Sequence, residues 1–200
     1  LEWATKRMYP DILNYKIVEL TGSFKVPIGC RSFLQGWKDA DGQEINVGRM
    51  NLGVVTLNLP RIALEAQHDQ EKFWQLLEER LQIVKDALVY RIERCKEATP
   101  TNAPILYMHG AFGKKLAPND AVDELFNHRR ATVSLGYIGL YEVAAAFYDG
   151  EWEANTQAKE FTLAILRALK DHADDWAEKY GYHFSVYSTP SESLTDRFCR

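Results

Sequence analysis

Cys30 is a candidate reactive residue because of its sequence surroundings. It lies in the run Pro27-Ile28-Gly29-Cys30-Arg31-Ser32, within a stretch punctuated by glycines, and no apolar period surrounds it. Most free cysteines behave as small buried hydrophobic residues, but a loop with no apolar face has little with which to bury a thiol. A nucleophilic cysteine would also need a histidine partner, and His109 is the one histidine that the pattern places in a loop. The sequence therefore indicates a functional thiol at Cys30 and gives little support for a hydrolase.

Asn51 is a second candidate, at the margin of a predicted strand. An asparagine in such a position usually caps or turns the backbone. Its carboxamide also offers both a donor and an acceptor, which suits a pair of hydroxyl groups on a substrate. Both interpretations stay open on the residues alone.

Residues 188–193, with the sequence Ser-Thr-Pro-Ser-Glu-Ser, follow another predicted strand. Thr189 or Ser191 would cap a helix that has Pro190 and Glu192 in its first turn. The free N–H groups at such a helix start also form an anion site, so the same residues could hold a phosphate. On residue types alone we favour the plain helix cap.

The hydrophobic pattern predicts the elements that must hold these residues. Apolar residues recur every three or four positions through residues 69–96 and 155–180, which predicts two long helices. Shorter apolar runs predict strands, and further local signals predict a turn and short helices. The strands are 54–59, 104–108, 131–135 and 183–187; the turn is 39–42; the short helices are 119–126 and one that ends at Tyr148. Strands that alternate with helices predict an α/β fold built on a parallel sheet with crossover helices.

Composition and charge exclude several classes of protein. The chain has 200 residues, of which 46% are hydrophobic, and its formal net charge is −4. That charge leaves no basic excess for nucleic acid, and no apolar run approaches the ~20 residues that span a membrane. Three cysteines without a CxxC spacing predict neither a disulfide scaffold nor a metal site. We expect a cytoplasmic protein, and the lack of an initiator Met and of a polar tail suggests a segment of a longer polypeptide.

Four runs of sequence together resemble one family, the anaerobic (class III) ribonucleoside-triphosphate reductases. They are GCRSFL at 29–34, GRMNLGVVTLNLPRIA at 48–63, HRRATVSLGYIGL at 128–140 and SVYSTPSESL at 185–194. The resemblance covers nearly the whole chain in the right order. It implies a ten-stranded α/β barrel of two parallel half-barrels, with a finger loop that carries a cysteine to the barrel centre. Residues 1–20 would then be a helical entry, 21–53 the finger loop and 54–200 the second half-barrel.

The resemblance also implies roles for the candidate residues. Cys30 matches the finger cysteine, whose hydrogen atom passes to a glycyl radical and whose sulfur radical then removes the 3′-hydrogen of a ribonucleotide. Asn51 matches an asparagine that hydrogen-bonds near the ribose hydroxyls. Five residues match the loop that holds the substrate phosphates, which reverses the preference for a plain cap: Ser188, Thr189, Ser191, Glu192 and Ser193.

Other parts of the machinery are implied to lie outside this segment. They are the glycyl radical, a structural zinc and the binding region for ATP and deoxynucleotide effectors, with formate, or a thiol system in some relatives, as the reductant. A radical-SAM enzyme would activate the complete protein, a homodimer, and the segment alone would not turn over. The alternatives are another glycyl-radical enzyme, which residues 189–193 and Asn51 argue against, and a catalytically silent nucleotide-binding module.

Overall fold

The computed structural model describes residues 15–20, 27–28, 32–33, 37–39, 41–148 and 154–190. The chain divides into two compact units, residues 1–35 and 36–200. The first contains helix α1 (Tyr15–Leu20), within the predicted helical entry, and two short antiparallel strands, β1 (Pro27–Ile28) and β2 (Ser32–Phe33). Cys30 lies between these strands in the sequence and outside the described residues.

A small hairpin begins the second unit. Its strands, β3 (Trp37–Lys38) and β4 (Glu44–Ile45), pair antiparallel. Asp39 holds the turn, since its carboxylate accepts hydrogen bonds from the backbone N–H groups of Asp41 (3.0 Å) and Gln43 (2.9 Å). Short polar residues often stabilise turns in this way, and the turn predicted here is confirmed.

A three-stranded parallel sheet lies at the centre of the second unit. Its strands are β5 (Met50–Asn58), β6 (Ala131–Ile138) and β7 (His183–Ser188), in that spatial order. Both neighbouring pairs are parallel, so each connection must cross over the sheet, and helices occupy both crossovers. The predicted α/β class, with parallel strands and crossover helices, is confirmed.

Helices make up most of the two crossovers. Between β5 and β6 lie α2 (Leu59–Ala66), α3 (Gln70–Lys96) and the short α4 (Pro104–Tyr107). Between β6 and β7 lie α5 (Leu140–Phe147) and α6 (Thr156–Tyr180). The long helices α3 and α6 confirm the prediction made from their apolar period.

Capping side chains fix where these two helices begin. The Asp69 carboxylate accepts a hydrogen bond from the N–H of Lys72 at 3.1 Å, and the Asn155 side-chain oxygen accepts one from Gln157 at 2.9 Å. Each contact satisfies a backbone donor that the first helical turn leaves without a partner.

The prediction of a strand at 104–108 is wrong, because residues 104–107 form the helix α4 and Met108 caps its end. A short apolar run cannot by itself distinguish a strand from a helix. Pro104 stands in the first turn of α4, and Pro100 in the first turn of a 3₁₀ helix just before it (Pro100–Asn102). Proline suits that position because its φ is already helical and it has no N–H to leave unpaired.

Three other elements differ from the prediction in extent by more than one residue. The strand expected at 131–135 continues to Ile138. The strand expected at 54–59 begins at Met50 and ends at Asn58, whose side chain caps α2 by accepting a hydrogen bond from the N–H of Arg61 at 3.0 Å. The helix expected at 119–126 is one 3₁₀ turn, Val122–Leu125. The earlier start of β5 places Asn51 inside the strand.

The helices cover one face of the sheet and form the core with it. On that face Val133 and Leu135 of β6 are fully buried, and Leu57 of β5 and Phe184 of β7 are nearly so. They belong to one cluster with apolar residues of the helices, among them Leu77, Leu81, Leu88, Ile165 and Leu169. Each such side chain contributes about 1.5–3 kcal/mol by its burial, so this face serves stability and the opposite face is left for other side chains.

Candidate active site

The face of the sheet turned away from the helices carries small and polar residues. Because side chains alternate along a strand, Ser134 and Gly136 of β6 lie opposite to Val133 and Leu135. Ser185 of β7 pairs with Ser134, and Thr56 of β5 pairs with Gly136. We call this surface the polar face; the members used below are Asn51, Thr56, Ser134, Gly136, Ser185 and Thr189. Val54, which pairs with Ser134, and Tyr187, which pairs with Gly136, lie on the same face.

A bulge in β5 brings Asn51 onto the polar face. Asn51 pairs with Thr132 but Val54 pairs with Ser134, so β5 contains one residue more than β6 across this interval. Such an insertion re-aims the side chains before it. Without the bulge, Asn51 would alternate in phase with Leu57 and would lie on the helical face.

Gly53 supplies the backbone conformation that the bulge requires. Its φ is +130°, a value that residues with a side chain rarely adopt. Arg91 of α3 lies against it, and its Nη1 donates a hydrogen bond to the carbonyl oxygen of Leu52 at 3.3 Å. A Cβ atom on Gly53 would lie 1.8 Å from that nitrogen. The site residue Asn51 thus depends on a glycine and on a helix of the opposite layer.

A chain of hydrogen bonds crosses all three strands from Asn51. The Asn51 Nδ2 lies 3.2 Å from the Ser134 Oγ, and the Ser134 Oγ lies 3.0 Å from the Ser185 Oγ. At its other end the Asn51 carboxamide accepts a hydrogen bond from the Gly53 N–H at 2.8 Å. Ser134 is only 2% exposed, whereas Asn51 is exposed. The amide is therefore held from within the sheet and open on its outer side.

A second polar contact lies at the carboxyl end of the sheet. The Oγ1 atoms of Thr56 and Thr189 are 2.9 Å apart, and the Thr189 N–H donates to the Tyr137 carbonyl at 3.0 Å. Both threonines meet above Gly136, where a Cβ atom would lie 2.6 Å from each hydroxyl oxygen. The partners of Asn51 and Thr56, which are Thr132 and Gly136, lie four positions apart in β6, which corresponds to about 13 Å along the strand.

The other predicted phosphate-loop residues are distributed differently. Ser188 is the exposed last residue of β7. It alternates in phase with Phe184, so it belongs to the face covered by helices and not to the polar face that carries Ser185. Ser191, Glu192 and Ser193 lie outside the described residues. The structure thus brings Asn51 and Thr189 to one surface, and the roles of Cys30, Ser188 and the three remaining loop residues stay predictions.

Arg130 connects the start of β6 to the segment that precedes β5. Its Nε donates to the Gly48 carbonyl at 3.0 Å, and its guanidinium carbon lies 5.0 Å from the centre of the Trp37 ring. The side chain is largely buried, and this burial lowers the pKa of Arg130. A guanidinium stacked on an indole and bonded to a carbonyl is a stable way to bury a cation. Arg130 therefore fixes the segment just before Asn51 against the amino end of the sheet.

Within the ranges given above, no group of three His, Cys, Asp or Glu side chains is arranged to hold a metal ion. Among the same residues, no helix is long and apolar enough to cross a membrane.

Sequence reasoning missed Thr56, Ser134, Gly136 and Ser185. A signal for the β6 pair exists, since small polar residues and glycine alternate with large apolar ones from Ala131 to Leu135 and beyond. Because side chains alternate along a strand, this pattern places the small polar residues and the large apolar ones on opposite faces. Which residues of β5 and β7 join them depends on the register between strands, which no local pattern contains.

Fold and site together define an α/β protein whose parallel sheet is covered by helices on one face and carries a connected polar surface on the other. The model of one family, described as anaerobic ribonucleoside-triphosphate reductase, matches residues 1–200. The chain belongs to this family, and the resemblance seen in the sequence is confirmed.

Named relatives agree with this assignment. The chain is 54% identical to the anaerobic ribonucleoside-triphosphate reductase of Escherichia coli K12 over 202 residues, and 45% identical over 207 residues to that of bacteriophage T4. All of this chain is matched, but only 28% and 33% of those relatives. The chain thus spans about a third or less of the length of the curated relatives that it matches.

Solved structures agree as well. A crystal structure of the anaerobic ribonucleotide reductase from Thermotoga maritima with citrate in the active site has a TM-score of 0.58 and 26% sequence identity, over 82% of this chain and 30% of that one. Another structure of the same enzyme, in complex with dATP and CTP, also has a TM-score of 0.58 and 26% identity, over 82% of this chain and 27% of that one.

Proposed function

We propose that the complete protein reduces ribonucleoside triphosphates to 2′-deoxyribonucleoside triphosphates without oxygen, and that this segment supplies the reacting thiol and the surface that binds the substrate. The observation that carries the proposal is the placement of Asn51. A bulge turns its carboxamide onto the polar face, and hydrogen bonds to Ser134 and Gly53 hold it there. Membership of the family gives that surface its substrate class.

Cys30 is the radical carrier in this proposal. Its S–H bond is weak enough to lose a hydrogen atom to a glycyl radical outside this segment. The sulfur radical on Cys30 then removes the 3′-hydrogen of the ribose. The 2′-hydroxyl group takes up a proton and leaves as water. Formate, which is oxidised to carbon dioxide, or a thiol in its place, provides two electrons and a proton to the ribose. The Cys30 thiol then returns its hydrogen atom to C3′, and the sulfur radical forms again.

Asn51 binds the ribose in this proposal. One Oδ1 lone pair is used by the Gly53 N–H and one Nδ2 hydrogen by Ser134, which leaves one acceptor and one donor for a ligand. A ribose presents two neighbouring hydroxyl groups, each able to donate and to accept. The carboxamide therefore matches the diol, and its hydrogen bonds strengthen as charge develops during water loss.

Thr189 marks the phosphate end of the proposed site. In parallel α/β folds ligands collect at the carboxyl ends of the strands, and Thr189 directly follows β7 at that end. Ser188, Ser191, Glu192 and Ser193 would complete the loop, with backbone N–H groups directed at the phosphates. A nucleotide lying along the polar face would thus have its ribose near Asn51 and its phosphates near Thr189.

The remaining components are proposed for the rest of the protein. They are the glycyl radical, a radical-SAM activating enzyme, a structural zinc site, effector sites for ATP and deoxynucleotides and a homodimer interface, in a cytoplasmic enzyme. The dATP and CTP of the related Thermotoga maritima complex support nucleotides as substrate and effector.

The test is an anaerobic assay of the complete protein with its activating enzyme, each ribonucleoside triphosphate, and formate either present or omitted. We expect deoxynucleotide to form. Cys30→Ser should lower its rate of formation below about a hundredth of the wild-type rate. Loss of the radical carrier should slow the reaction more than loss of one acid–base contact, which is worth a factor of ~10²–10⁴. Cys95→Ala is the matched control, because Cys95 packs against the core and should leave the rate unchanged. Nucleotide binding without product from the activated protein would instead identify a silent binding module.

A further inference from the structure

The direction of the hydrogen-bond chain from Asn51 follows from the chemistry of its members. A backbone N–H can only donate, so the Gly53 N–H must face the Asn51 oxygen. The Asn51 nitrogen must then face Ser134 as a donor. The opposite orientation of the amide would set donor against donor at Gly53 and is excluded.

Ser134 accepts a hydrogen bond from Asn51 and therefore donates its own hydroxyl hydrogen to Ser185. Its oxygen accepts from Asn51, and its own hydroxyl hydrogen needs an acceptor because the side chain is 2% exposed. The Ser185 Oγ, at 3.0 Å, is the acceptor that the structure offers. A buried donor without a partner is unfavourable by ~1–3 kcal/mol, so the chain runs from Asn51 to Ser134 to Ser185.

We propose that Ser134 is a positioning residue for Asn51, with Ser185 in support, and that together they decide which end of the carboxamide meets each hydroxyl of the substrate. This inference rests on the proposed function. The Ser134 oxygen takes one Nδ2 hydrogen and so directs the other outward. Ser185 takes the Ser134 hydrogen and so keeps the lone pair of Ser134 turned to Asn51. Both serines act through Asn51.

A double-mutant cycle in the complete, activated reductase tests this arrangement. Loss of two ligand contacts in Asn51→Ala should lower kcat about thirtyfold, and loss of one positioning bond in Ser134→Ala about fivefold, with KM within about twofold in each. If Ser134 acts through Asn51, the double variant should be no slower than Asn51→Ala. Independent effects would multiply to a fall of about 150-fold, and that result would overturn the proposal.

Controls separate this outcome from damage to the fold and from failure of the proposed function. Thr162→Val removes a hydroxyl that is bonded within α6, in the helical layer, and should keep the wild-type kcat. Should Ser134→Ala fail to fold, Ser185→Ala, at a half-buried position, replaces it in the same cycle. It should lower kcat about twofold in the wild-type background and leave it unchanged in Asn51→Ala.

The two hypotheses fail in different ways. An unaltered kcat in Asn51→Ala would overturn the proposed role of Asn51 and this inference with it. No deoxynucleotide from the wild-type protein would overturn the proposed function as a whole. A slow Asn51→Ala together with a wild-type kcat in Ser134→Ala and Ser185→Ala would overturn the inference alone.

Discussion

Replacement of Gly53 by alanine should damage the site more than its small size suggests. Its φ of +130° is strained for a residue with a side chain, at about 1–3 kcal/mol. The new Cβ would lie 1.8 Å from the Arg91 Nη1. The arginine end can move, but at the expense of its bond to Leu52, about 1 kcal/mol. We therefore expect Gly53→Ala to destabilise the fold by about 2–4 kcal/mol.

The activity of this variant reports on the bulge itself. The strain is relieved if β5 loses its extra residue, and a slip of one residue turns a side chain to the other face of a sheet. Asn51 would then leave the polar face, so kcat should fall about as far as in Asn51→Ala, roughly thirtyfold. The assay is anaerobic turnover of the complete reductase, together with its melting temperature.

Two other glycines provide matched controls for backbone strain. Gly42 and Gly181 have φ values of +78° and +73°, and a Cβ on either would meet nothing within 4 Å. Gly42→Ala and Gly181→Ala should each be destabilised by about 1–2 kcal/mol and keep the wild-type kcat. Arg91→Ala removes the steric contact, so Gly53→Ala in that background isolates the strain. A wild-type kcat in Gly53→Ala, or a melting temperature no lower than that of Gly42→Ala, would contradict this role of Gly53.

Two further predictions concern the phosphate loop and a buried tyrosine. Ser191→Ala and Ser193→Ala should each weaken equilibrium binding of a ribonucleoside triphosphate to Cys30→Ala reductase by about 1 kcal/mol, with Glu192→Gln as a near-neutral control; unchanged affinity in both serine variants would leave the loop a helix cap. The Tyr182 hydroxyl donates a hydrogen bond to Asp123. Burial, and next this hydrogen bond, raise the pKa of Tyr182. The contribution of Tyr182 to the stability of the fold is therefore complete below pH ~10 and declines at higher pH. Tyr182→Phe should lose about 1.5–3 kcal/mol of stability in thermal melts at neutral pH, and a melting temperature equal to the wild-type value would contradict this.

The helical layer and the class of fold are predictable from the sequence alone. The apolar period of α3 and α6 is a property of each segment alone, and so are the caps at Asp69 and Asn155. Local steric and hydrogen-bonding preferences act over three or four residues, so they are visible in the order of the residues. The four long runs that resemble the reductase family likewise identify the family from the sequence alone.

Where the local pattern did not distinguish a strand from a helix, the neighbouring residues determined the secondary structure. The run from Ile105 to Met108 has no period long enough to separate a strand from a helix. Pro100 and Pro104 favour the helical alternative by fixing φ. Both prolines are present in the sequence, but their effect depends on where each turn begins, and only the folded chain establishes that.

The composition of the polar face was decided by tertiary structure. Asn51 and Ser134 are 83 residues apart, and Ser134 and Ser185 are 51 apart. Alternation within a strand predicts which residues share a face of that strand, but it carries no information on the register with a neighbouring strand. In β5 even the alternation is interrupted, because Gly53 adopts a positive φ beside Arg91. Asn51 therefore points to the polar face through pairing and packing between distant segments, and these exist only once the sheet has formed.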